Sequence, residues 1–176
     1  MRAACGRCVP ALSAFGGVKS AWPGAAGLGY GPRVRLHFID PSHPLYPGEL
    51  ELRYRVLREP LGHSRDSVLF PFEKDSLHLV AEDGGDVRGC VLFHPEDTAS
   101  GRLFQMAVRP QLQGQGLGAK LVRALEEELV RRRFTHVHLH ARATVVPFYE
   151  KLGYAVYGEP YVEVGIPHRN MQRELP

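Results

Sequence analysis

The stretch Val108-Arg-Pro-Gln-Leu-Gln-Gly-Gln-Gly-Leu-Gly118 decides how the rest of the chain is read. Pro110 ends a strand-like run over residues 102–109, and behind the glycines a helical pattern opens, with Leu117, Leu121, Leu125 and Leu129 recurring every four residues. Strand, glycine-rich turn and helix start together gather backbone N–H groups at the positive end of a helix dipole, a setting suited to a phosphate or pyrophosphate. Gly114, Gly116 and Gly118 place no Cβ in the way of a ligand, and Gln113 and Gln115 add neutral donors.

Known spacings narrow the ligand. No G-x-x-x-x-G-K-[ST] is present, because Lys120 is followed by Leu121, so a P-loop nucleotidase is excluded. Gly114-x-Gly116-x-x-Ala119 satisfies the dinucleotide fingerprint, but that fingerprint opens a first βα unit and needs an acid after the next strand. Here the loop follows a run of strands, and Ala141-Arg142 stands where the acid belongs.

Outward from the loop, residues 33–39 alternate like a strand, and from Tyr46 a helical spacing of Leu50, Tyr54 and Leu57 runs to about Glu59, with Arg53, Arg55 and Arg58 between them as its polar side. Pro60 stops it. Residues 76–82 and 86–94 read as strands joined by Asp83-Gly-Gly, a hairpin signal, and residues 102–109 complete a meander. After the long helix, residues 135–140 form a strand, 145–152 a short helix, 154–157 and 162–164 two short strands, and 169–174 a last one. Glu126 to Glu128 are placed to pair with Arg131 and Arg132, and the three arginines there suit the helix C-terminus.

The 176 residues suffice for one domain with a full core, and 44% hydrophobic with 23% charged residues is ordinary for a globular chain. No apolar run approaches the ~18 residues of a membrane span, so no membrane partner is expected. The net charge of +3 is gathered in residues 1–39, which hold five bases and no acid, and this argues against a nucleic-acid partner for the folded part. Residues 1–32, with seven Ala, seven Gly and three Pro, carry no apolar period and read as an extension outside the domain 33–176: a disordered tail, a targeting segment, or the product of an early start codon. Three cysteines cannot frame a chain of this size with disulfides, and a reducing, cytoplasmic setting is the simpler expectation. Cys5-x-x-Cys8 has no second pair to complete a zinc site, Cys90 sits in a strand with no evident base, and His136, His138 and His140 share a strand face without an acidic or cysteine ligand nearby, so no metal is expected.

Taken whole, residues 108–118 resemble the acetyl-coenzyme A loop of the GNAT superfamily of N-acetyltransferases, with Gln113, Gly116 and Gly118 at its defining positions. A second block, Pro147-Phe-Tyr-Glu-Lys-Leu-Gly-Tyr154, is similar to the family's and follows in the expected strand–helix–strand setting. Gly165-Ile-Pro-His168 with Met171 further resembles the small ElaA-like branch. The resemblance covers about residues 34–175. It implies an α/β fold, a mixed and mostly antiparallel sheet flanked by helices, with splayed central strands, and acetyl-coenzyme A as co-substrate. It further implies that the backbone of Met106, Ala107 and Val108 meets the pantetheine arm, and that the amides of Gln113, Gly114, Gln115, Gly116, Leu117, Gly118 and Ala119 hold the pyrophosphate.

Acetyl transfer from a thioester to an amine needs a neutral nucleophile, a donor for the developing oxyanion and a proton for the departing thiolate. Tyr149 stands at the family's general-acid position, although a Tyr packed beside Phe148 as a plain helix aromatic satisfies the same pattern. Glu163 and His168 bring a carboxylate and an imidazole to the last strands, beside which the family places its acceptor; a His168 bonded only to backbone in a turn is the competing reading. The resemblance implies a small-molecule or peptide amine as acceptor and admits a homodimer. A non-catalytic coenzyme A-binding or interaction module is the alternative function.

Overall fold

The computed structural model describes residues 34–163 and 165–176. The extension 1–32 with its Cys5/Cys8 pair, Arg33 and Val164 lie outside the described residues. Among the described residues seven strands form one sheet: β1 (Arg35–Ile39), β2 (Leu77–Asp83), β3 (Asp86–Pro95), β4 (Ser100–Val108), β5 (His136–Arg142), β6 (Ala155–Glu163) and β7 (Ile166–Glu174). Their order is β1-β2-β3-β4-β5-β7-β6, and every neighbouring pair is antiparallel except β4 with β5. Among the described residues three α-helices accompany them: α1 (Tyr46–Arg53), α2 (Leu117–Arg131) and α3 (Val146–Glu150).

Local chemistry explains the meander. Gly84 and Gly85 both hold positive φ, 64° and 87°, which is what a two-residue hairpin turn requires, and Asp83 pairs with Asp86 across it. The leucines of α2 face the sheet: Leu121, Leu125 and Leu129 are fully buried against a core that includes Leu79, Val91, Leu103, Val137 and Leu139. Of the acids on α2, Glu128 pairs with Arg131 and Arg132 at 2.6 and 2.7 Å. Glu126 instead turns inward, is buried, and meets Arg173 of β7 at 2.8 Å.

The parallel contact is what positions the site. Ser100 to Leu103 pair with His136 to Leu139, and no β4–β5 pairing continues beyond them. Just past that point β4 is deformed: Gln105 has φ 49°, and the register against β3 slips between Cys90 and Leu92. Such a bulge adds local twist and re-aims a strand. The two central strands therefore splay, and the edge of β4 over residues 104–108 is left open toward the gap.

Two expected elements differ. The first helix is α-helical only to Arg53, passes into a π-turn at Tyr54–Arg58, and ends in a 3-10 turn at Glu59–Leu61. Its inner face is Glu49, Leu52 and Arg53, so the arginine at 53, expected on the polar side of the helix, is fully buried. The two short strands expected over 154–157 and 162–164 are one strand, β6, whose ladder with β7 is interrupted between Tyr157 and Tyr161. Gly158, with φ 64°, and Pro160 without an N–H account for the break, and an edge strand tolerates both.

Candidate active site

The glycine loop has the geometry of an anion cradle. α2 starts with Gly116 as its N-cap and no side chain caps it. The N–H groups of its first turn therefore lack intrahelical partners and carry the positive end of the helix dipole. Gly114 and Gly116 hold φ 73° and 84°, and a Cβ built on either meets nothing within 4 Å, so the loop's outer surface is open to a ligand. The two glutamines differ from expectation. Gln113 donates its side-chain N–H to the Val108 carbonyl at 3.0 Å and Gln115 to the Gln111 carbonyl at 2.8 Å, so both shape the loop from within. Lys120 and Arg123 line a groove with Leu36, Gly116 and Ala119 beside this helix start.

The loop, the open strand edge and α3 meet at one point. A Cβ on Gly118 would lie 2.9 Å from Met106 Cε and 3.3 Å from the Phe148 ring, so the bare glycine lets these three pieces close up without displacing the Met106 methyl or crowding the ring. Tyr149 follows Phe148 and contacts it edge-to-face at 4.9 Å between ring centroids, with Tyr154 at 5.6 Å on its other side. Its side chain belongs to the buried core layer. Burial pushes its hydroxyl far above the ordinary phenol value, so the group keeps its proton.

On the opposite face of the sheet, His168 of β7 is flanked by Arg142 of β5 and Tyr161 of β6. The His168 Nδ1–H donates to the Ile166 carbonyl at 2.8 Å. The backbone bond that competed with a functional reading is thus present, and it fixes the tautomer: in the neutral ring Nε2 carries the lone pair. Tyr161 lies nearly parallel to His168, with centroids 5.8 Å apart at 27°. Glu163 shares this face, but the imidazole it accepts from is that of His140, at 3.4 Å. The histidine row is paired along its length, His138 with Glu96 at 2.7 Å and His136 with Glu174 at 3.8 Å.

Residues missed in the sequence hold this face in place. Arg142 Nη2 donates to the Leu57 carbonyl at 3.3 Å, and Arg58 Nη1 donates to the same carbonyl at 3.4 Å. Beneath them lies a buried cluster of two acids and two bases. Arg53 binds Glu49 at 3.1 Å, both oxygens of Glu73 at 2.6 and 3.0 Å, and the Val68 carbonyl. His78 faces the Glu49 carboxylate at 3.0 Å through Nδ1 and the Glu73 carbonyl at 2.9 Å through Nε2. Since both partners are acceptors, both ring nitrogens carry protons and His78 is a cation. Burial opposes that charge, but Glu49 and Glu73 outweigh it and the His78 pKa is raised. The cluster ties α1 and β2 to residues 65–75, the connection that carries the Phe70 and Phe72 rings packed on Phe104 of β4. The i, i+4 spacing of Glu49 and Arg53 is the one sequence signal that could have pointed to it.

A sheet split between two parallel strands, with an uncapped helix and a bare glycine loop at the split, is the arrangement expected of an acetyltransferase of the GNAT class. The model of the acetyltransferase (GNAT) domain matches residues 63–175, and the chain belongs to this family of N-acetyltransferases. It is 31% identical over 103 residues to the uncharacterized N-acetyltransferase YjcF of Bacillus subtilis, covering 58% of this chain and 73% of that protein. An uncharacterized acetyltransferase of Streptococcus pyogenes is 32% identical over 93 residues, 53% of this chain and 64% of that one. Among solved structures, a putative N-acetyltransferase from Lactobacillus plantarum superposes with TM-score 0.73 and 27% identity over 81% of this chain and 99% of its own. Escherichia coli ElaA, with TM-score 0.72 and 20% identity over 80% and 99%, shares the fold. Among the described residues no helix is long and apolar enough to cross a membrane.

Proposed function

We propose that this protein transfers an acetyl group from acetyl-coenzyme A to a primary amine of a small molecule or peptide, by direct attack of the amine and in a cytoplasmic setting. The observation that carries the reading is the uncapped start of α2 behind an open glycine loop, set at the mouth of the gap between β4 and β5. In this reading the amides from Gln113 to Ala119 hold the pyrophosphate, with Lys120 and Arg123 beside them for further phosphate charge. The open backbone edge at Met106, Ala107 and Val108 aligns the pantetheine arm in the gap. Bound acetyl-coenzyme A supplies an electrophilic thioester carbonyl.

The amine enters from the other face of the sheet. Its nitrogen forms the new C–N bond, and the C–S bond breaks with its electron pair on sulfur. Tyr149, protonated at rest, supplies a proton to that sulfur as the C–S bond breaks. His168, whose Nδ1–H is held by the Ile166 carbonyl, takes the proton leaving nitrogen at Nε2. Both groups then re-equilibrate with solvent, so no covalent enzyme intermediate forms. Glu163 acts on this face through its bond to His140. Initial rates with both substrates varied test the order of events: direct attack gives intersecting double-reciprocal lines, and parallel lines would require an acetylated enzyme and contradict the proposal.

A further inference from the structure

Two guanidinium groups converge on the acceptor face with no carboxylate between them. Arg58, on the π-turn after α1, and Arg142, at the end of β5, both donate to the single carbonyl of Leu57. Arg58 has one more bond, from Nε to the Ser67 carbonyl at 3.2 Å, again to a neutral acceptor. Among the described residues neither arginine forms an ion pair. Both are half-buried, so water screens their mutual repulsion less than it would at the surface. That repulsion registers on Arg58, whose pKa is lowered by burial and then by Arg142 and Arg53, with Glu163 opposing. Glu163 does not neutralise the pair, since its carboxylate is turned to His140.

Two like charges brought together and left with neutral acceptors cost stability, whereas most other buried cations of this fold are matched. Arg53 has two carboxylates, and Arg173 has Glu126. The place of the mismatch is also specific. Arg142 stands directly opposite His168 on the neighbouring strand, so the side chain that begins there shares a sheet face with the imidazole that receives the amine's proton in the proposed reaction. A planar guanidinium presents forked donors that fit an oxyanion in two-point contact.

We infer that the acceptor is an amine that also carries an oxyanion, a carboxylate or a phosphate, and that Arg58 and Arg142 hold that oxyanion while the amine faces His168. The inference rests on the proposed acetyl transfer for the identity of the reacting group, but the oxyanion contact itself does not depend on turnover.

The test uses matched amines that differ only in the oxyanion: free amino acids against their α-carboxamides, and phosphoethanolamine against ethanolamine. For the wild-type protein the charged member of at least one pair is expected to have a kcat/KM roughly 10- to 100-fold above the neutral one, the range for hydrogen bonds to a charged group. The pair that shows the preference identifies carboxylate or phosphate as the oxyanion. In Arg142→Gln and Arg58→Gln the preference should fall toward unity, with melting temperature verifying the fold. Equal or better use of the neutral members, or a preference that survives in both variants, overturns the inference.

A second arm measures binding without turnover, by calorimetric titration of the same amines into protein saturated with coenzyme A. If no amine is acetylated but the charged members bind through Arg142, the oxyanion site stands and the acetyl-transfer reading falls. If only neutral amines are acetylated, the transfer reading stands and this inference falls. Absence of both turnover and binding overturns it as well.

Discussion

Glu49 and His78, 29 positions apart in the chain, meet at 3.0 Å with neither side chain exposed. The second nitrogen of His78 is equally engaged, by the Glu73 carbonyl, so the ring is held as a cation. Its pKa is raised in the folded protein, and such a group contributes stability that is fully present below the unfolded value of about 6.5 and is lost as pH rises through the folded value. The difference in melting temperature between the wild type and His78→Gln should therefore be largest at pH below about 6.5 and should shrink as pH rises beyond neutrality. At low pH the variant should lose about 3–5 kcal/mol, since Glu49 is left buried without one of its partners. A difference that grows with pH would show that His78 is neutral in the fold.

Gly101 is a packing position, although it reads as the end of a turn. A Cβ there would lie 2.4 Å from the His94 carbonyl oxygen and 2.4 Å from the Phe93 ring, and Phe93 is fully buried. Neither can move far, so Gly101→Ala should destabilise the protein by about 1–3 kcal/mol, the range for overpacked sites. Denaturant unfolding of the two proteins measures this. An unchanged midpoint would mean that the β3–β4 ladder shifts freely at this rung.

At Gly116 a side chain has room, and the added Cβ meets nothing. Gly116→Glu should therefore fold, with a modest loss of stability from the φ of 84°, yet bind coenzyme A at least tenfold more weakly because it sets a negative charge at the helix start. Equilibrium titration with coenzyme A gives the ratio. Undiminished affinity would move the pyrophosphate away from this loop.

Tyr149→Phe separates proton supply from packing. The hydroxyl has no hydrogen bond among the described residues, while the ring packs on Phe148 and Tyr154. The variant should keep its melting temperature and its coenzyme A affinity within a few-fold, and lose roughly 10²-fold in kcat, as expected for a positioned general acid. An unchanged kcat would remove Tyr149 from the reaction and leave solvent as the proton source.

The loop, the long helix and the meander were legible because each is written locally. Glycines mark the turns at 84–85 and 114–118, proline at 110 ends a strand, and leucines on α2 repeat at helical spacing. What lay out of reach was decided by contacts between distant segments. Arg53 looks like a solvated helix residue until β2 and the 65–75 connection supply His78 and Glu73 around it. The partner of Glu163 could not be foreseen either: His140 and His168 reach the same face from different strands, and although β7 with His168 is the strand beside β6, the Glu163 carboxylate turns across it to His140. Likewise Glu126 shares a run with Glu128, and one faces Arg173 on the sheet while the other faces the helix's own arginines.

The central claim, that acetyl moves directly from coenzyme A to an amine at the split between β4 and β5, is tested most directly by counting products. The protein is incubated with acetyl-coenzyme A and a panel of primary amines, and free thiol and acetylated amine are quantified together. The account predicts that they appear in equal amounts, that both depend on an amine being present, and that both fall about 10²-fold in Tyr149→Phe. Tight binding of coenzyme A with no acetylated amine from any member of the panel would contradict it, and would mark the protein as a coenzyme A-binding module.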